Sequence, residues 1–124
     1  MTIGAQKYAR FMARHHNNLV NGPQKLSDSA ARDKTLSHKL DGKEPFQRAK
    51  AEGFPHMDVA EVAHAGPYVN AEQAVRAPDG VGWMSSKAGH REAILNSKYT
   101  LAGVGVAYTD SGVPYYVMKL ASPR

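Results

Sequence analysis

The chain contains no cysteine. That excludes disulfides, thiolate metal sites and a cysteine nucleophile, while leaving the redox compartment open. No apolar stretch approaches the length of a membrane span. Met1 to Gln6 carry no apolar h-region, so no signal peptide is expected in this chain. Basic residues are scattered from Lys7 to Arg124 in nothing denser than isolated pairs. Without a basic stripe or a known recognition motif, a nucleic-acid partner is not expected. There are no repeats, linkers or low-complexity segments, and 124 residues have room for one domain, 1–124, around one core.

What is present is ordinary for a globular protein: 42% hydrophobic and 22% charged residues, with a net charge of +5 that suits an anionic partner. The 11 glycines and 7 prolines predict many turns and few long helices. Residues 6–20 read as an amphipathic helix, with Tyr8, Phe11, Met12, His15 and Leu19 on its inner face. Asn21-Gly22-Pro23 stops it with an αL-tolerant pair and a proline. Ser27 or Asp28 caps a second helix through Ala31 to about Leu36. Pro45 opens a third, with Phe46 and Ala49 inward and Gly53 ending it. Val59 to Ala63 is ambiguous. Ala71 to Ala77 is helical, ended by Pro78-Asp79-Gly80. Gly103 to Thr109, a turn at Asp110-Ser111-Gly112 and Val113 to Leu120 form a β-hairpin, whose glycines leave room for another element to pack closely. The expected class is α+β, with short helices layered around a small antiparallel sheet that ends in this hairpin.

Four stretches in order carry a family resemblance. The first is Leu36-Ser37-His38, then Asp41-Gly42-Lys43-Glu44-Pro45-Phe46-Gln47-Arg48-Ala49, closed by Gly53-Phe54. Ala60-Glu61-Val62-Ala63 is the second. The third is Trp83-Met84-Ser85-Ser86-Lys87-Ala88-Gly89-His90-Arg91 with Ile94-Leu95-Asn96. The fourth is Gly103-Val104-Gly105-Val106-Ala107 leading to Tyr115-Tyr116-Val117. Over 36–120 the order and spacing resemble a single CAP (SCP-like) domain of the cysteine-free bacterial kind. The sequence departs from the family pattern at Val62, where an Asn is usual, and at Pro78 to Gly82, which looks like an insertion. The stretch before residue 36 is also short for the family's first helix.

The resemblance implies an α-β-α sandwich. It also implies a central cleft in which His38, His90 and Glu61 hold zinc or another divalent cation. Two imidazoles and a carboxylate suit zinc with a position left for water. The family's second acid has no match by motif; Glu72 and Glu92 are candidates by proximity, and Trp83, His64 and Arg91 are further cleft-lining candidates. Trp83 is expected to be a core anchor, Arg91 a partner of Glu61 or of a helix terminus, and Arg48 a structural clamp on the loop carrying Glu44. His15-His16 and His56 read as structural or surface histidines, the pair favoured near a helix C-terminus. Ser85 and Ser86 read as helix caps rather than nucleophiles, since there is no Gly-x-Ser-x-Gly elbow. No His-Glu-x-x-His helix is present either.

The expected function is a secreted, extracellular or periplasmic binding module whose ligand is a lipid, a glycan or a protein. One alternative is a metal-dependent, peptidase-like hydrolase using water activated by His38, His90 and Glu61. Another is a basic accessory protein that binds anionic surfaces.

Overall fold

The computed structural model describes residues 2–53, 57–66, 70–76, 83–85 and 89–123. Helix α1 spans Thr2–Asn21, longer than its apolar period suggests. Ala5, Tyr8, Ala9, Met12, Ala13 and His16 form its buried stripe, at the three- and four-residue spacing of one helical face. That stripe lies to one side of the expected one: Phe11 is 42% exposed and His15 only half-buried, while His16 is fully enclosed. The alanines let the helix lie close on the sheet, and this decides the face over residue size. The helix stops at Asn21 as expected, but the left-handed residue is Lys25, at φ 47°, rather than the Asn-Gly pair.

Helix α2 (Asp28–Thr35) is capped by Ser27, whose hydroxyl accepts the Ala30 N–H at 3.2 Å. Helix α3 (Pro45–Ala51) has Pro45 in its first turn and a Glu44–Gln47 capping box, and Gly53 follows at φ 96°. Ala49 is buried as expected, but Phe46 is 48% exposed. Arg48 takes the inward position instead; turning its side of a two-turn helix toward the sheet turns Phe46 away.

The ambiguous stretch is strand β1 (Met57–Ala65), and the hairpin is β2 (Leu101–Tyr108) and β3 (Pro114–Pro123). All three pair antiparallel in the order β1-β3-β2, so β3 is central. One face of the sheet packs Ala63, Ala65, Tyr115 and Val117 against α1. The other packs Val62 and Tyr116 against Trp83 and Ala74, giving the three-layered α+β arrangement. Gly105 explains how closely α1 approaches: a Cβ there would fall on the backbone of Ala5 and Gln6. Gln6 seals the contact, donating to the Val106 carbonyl at 2.7 Å and accepting its N–H at 3.0 Å. Gly105→Ala is therefore expected to destabilise the fold by about 1–3 kcal/mol, because backbone rather than a mobile side chain must move. Denaturant unfolding checks this, and a loss under a few tenths would contradict the packing.

On the second face lie α4 (Ala71–Arg76), a 3₁₀ turn (Trp83–Ser85) and α5 (His90–Leu95). The expected break at Pro78-Asp79-Gly80, the insertion Pro78 to Gly82, the capping role of Ser86, and Phe54 and His56 lie outside the described residues, as does the side chain of Ser85. Gly89, at φ 94°, is the residue that enters α5. No helix among the described residues is long and apolar enough to cross a membrane.

Candidate functional site

Glu61 sits on β1 opposite Lys119 of β3, with its carboxylate fully buried. A buried carboxylate is costly unless its lone pairs are taken. Both oxygens are: Oε1 accepts from His38 Nδ1 at 2.9 Å and Oε2 from Arg48 Nη2 at 2.7 Å. With Nδ1 donating to Glu61, the His38 ring leaves Nε2 as its open nitrogen, on a side chain 42% exposed.

Arg48 does more than neutralise Glu61. Its Nη1 donates to the His38 carbonyl at 3.0 Å, the Asp41 carboxylate at 2.9 Å and the Lys43 carbonyl at 3.0 Å. Its guanidinium lies 3.7 Å over the Tyr8 ring. Burial pulls its pKa down, but the hydrogen bond and charge of Glu61 outweigh that and hold it above the ordinary arginine value. Tyr8 holds the same loop, donating to the Ser37 carbonyl and accepting the Leu40 N–H at 3.2 Å. Residues 37–43 are thus pinned from α1 and α3 together, and His38 with them. The expected clamp is present, and it reaches beyond the loop to Glu61.

The histidines around this cluster feel one another electrostatically. Burial lowers the His90 pKa, a positive His38 lowers it further, and Glu92, two residues along α5, opposes both. Burial also lowers His64, followed by the charges of Arg32 and His90. Buried His64 Nε2 has no hydrogen-bond partner among the described residues. Trp83 is a core anchor, its indole N–H donating to the Ala63 carbonyl at 3.1 Å. Arg91 does not pair with Glu61, whose cation is Arg48; it donates to the Met84 carbonyl of the 3₁₀ turn at 3.2 Å. Glu72 is exposed on α4, and no hydrogen bond or ion pair links it to these histidines among the described residues.

A family model described as the cysteine-rich secretory protein family, CAP, matches residues 1–120. The chain belongs to this family. Among solved structures, an outer surface protein of Borrelia burgdorferi is similar, at 19% identity and a TM-score of 0.64, over 98% of this chain and 75% of that one. At that identity the likeness is one of fold. No curated protein sequence matches significantly.

This CAP domain holds its loops without a single disulfide. The Arg48 and Tyr8 contacts do so around His38, and a second network does so at the far end of α1. Buried His16 bonds Tyr115 through Nδ1 and Asp28 through Nε2, each at 2.8 Å. Asp28 also accepts from Ser111 at 2.8 Å, so α1, α2, β3 and the hairpin turn are joined through the His16–Asp28 pair.

The donor set can be tested against the divalent cation that the family resemblance implies. Among the described residues no group of three or more His, Asp or Glu is placed to hold a metal ion. Glu61 is committed to His38 and Arg48. Glu61 therefore stands behind His38 as the carboxylate that fixes its ring, and is not placed as a third ligand beside His38 and His90.

Proposed function

We propose that the protein is an extracellular CAP-domain binding module, and that its His38–Glu61–Arg48 cluster is a recognition site rather than a hydrolytic centre. The observation that carries this reading is the double engagement of the Glu61 carboxylate. A hydrolase needs a general base within reach of an attacking water, and a carboxylate with both oxygens already bonded in a buried position is poorly suited to that task. The same arrangement suits orientation: Glu61 sets the His38 tautomer, and Arg48 and Tyr8 hold the backbone that carries it. A divalent cation bound by His38 and His90 would supply an electrophilic anchor for an oxygen-bearing ligand, such as a glycan or a lipid headgroup. The family's secretory character and the outer-surface description of the Borrelia protein support a location outside the cytoplasm.

Calorimetric titration of zinc into metal-free protein tests the reading. One-to-one binding is expected, lost in His38→Ala and in His90→Ala, and weakened roughly 10–100-fold in Glu61→Gln, as for a residue acting through a ligand. No binding by the wild type would remove the cation. Turnover on a peptide or ester panel that Glu61→Gln abolishes would restore the hydrolase in place of the binding module.

A further inference from the structure

The first acidic residue of the chain is Asp28, so α1 carries cations with no carboxylate of its own. Lys7, Arg10 and Arg14 are exposed along one side of it. They line, with Phe11, a hollow of about 240 Å³. A second hollow of about 280 Å³ shares Lys7 and Phe11 and extends the groove to Tyr8 and Lys43. Two acids line this second hollow, and both are engaged: Asp41 by Arg48 at 2.9 Å and Glu52 by the buried Lys119 at 3.8 Å. Lys7, Arg10, Arg14 and Lys43 have no acidic partner among the described residues. The two hollows together are lined by five cations, Lys7, Arg10, Arg14, Lys43 and Arg48, against two carboxylates, so the groove is positive on balance.

We propose that this groove binds a linear acidic polysaccharide, carboxylated or sulfated, through the cations of α1 rather than through the histidines. Lys7, Arg10 and Arg14 rise about 10 Å along the helix, a row that meets charges repeated along a chain. Phe11 lies between them with its ring parallel to Tyr8, 8° off at a centroid distance of 6.4 Å. A partly exposed ring held parallel to its neighbour offers a face to one sugar, whereas insertion into a lipid surface calls for apolar side chains that stand out from the cationic face. Single-stranded nucleic acid binds by stacking successive bases on several aromatics, and this groove exposes one.

Fluorescence anisotropy with labelled heparin and labelled polygalacturonate, against neutral dextran, tests the proposal at low and moderate salt. At least one acidic polymer should bind, weaken with salt, and lose affinity by about tenfold or more in an Arg10→Gln/Arg14→Gln double variant. Lys34→Gln/Arg76→Gln removes the same charge from exposed positions elsewhere and should leave affinity within about twofold. Four results would overturn the proposal: no binding of either acidic polymer at low salt, an undiminished Arg10→Gln/Arg14→Gln variant, equal losses in the two double variants, or tighter binding of a single-stranded oligonucleotide or of phosphatidylglycerol vesicles.

Discussion

Replacing Arg48 with alanine is expected to lower folding stability by about 3–5 kcal/mol, as when one member of a buried ion pair is removed. The side chain is 7% exposed and its Glu61 partner is fully enclosed, so the substitution strands a carboxylate out of water. It also releases the carbonyls of His38 and Lys43 and the contact with Tyr8. Arg48→Lys keeps the charge but cannot reproduce a planar fork bonded to Glu61 on one side and the loop on the other. An intermediate loss is expected for it, most of it traceable to loosening around His38. Urea unfolding of both variants gives the comparison. If Arg48→Ala were as stable as the wild type, the Glu61 carboxylate would not be buried against it as described.

His16→Ala is expected to be the second large effect, at roughly 2–4 kcal/mol, combining a cavity with the loss of two buried hydrogen bonds. Its signature differs from that of Arg48→Ala because it carries a pH dependence. The hydrogen bond from His16, then that from Ser111, holds Asp28 below its ordinary carboxylate pKa. A depressed folded-state pKa contributes stability above the unfolded value, and that contribution is lost as pH falls through the folded one. Acid titration of wild-type stability should therefore show a slope on the acid side that is reduced in His16→Ala. At the alkaline end burial pushes Tyr115 up to about 12, so the unfolded chain ionises first. Stability should fall as pH rises from the ordinary tyrosine value toward that point. Equal acid slopes in the wild type and His16→Ala would contradict the His16–Asp28 bond.

Much of the fold is legible because its signals are local. Ser27 at a cap, Pro45 in a first turn, Gly53 after a last one and the Asp-Ser-Gly turn each act within a few residues. The ordered motifs also foretold the family. Strand β1 was not legible from its own residues: Ala-Glu-Val-Ala has neither length nor strong alternation, and pairing with β3, far along the chain, decides it. The buried face of α1 differs from the expected one for a related reason. Period alone cannot separate Phe11 and His15 from Ala9, Ala13 and His16. The discriminating signal was the run Ala5, Ala9, Ala13 at four-residue spacing, set beside Gly105, small residues on both sides of one contact.

Motif spacing named Glu61 and His38 but could not orient them. Which carboxylate oxygen meets which nitrogen depends on α3 docking beside β1. Arg48 was marked as a clamp from sequence, yet its bond to Glu61 joins elements with no shared local pattern. Tyr8 showed only as part of a helical period, and its hydroxyl's role in holding the His38 loop left no mark in the sequence.

The most direct test is the NMR chemical shifts of the His38 ring nitrogens in metal-free protein and after zinc addition. With Glu61 holding the ring, Nδ1 carries the proton and Nε2 is the lone-pair nitrogen, and zinc should move Nε2 while leaving Nδ1 protonated. A proton on Nε2 with none on Nδ1, or a zinc-induced loss of the proton from Nδ1, would mean that Glu61 does not hold His38, and would contradict the recognition-site account at its foundation.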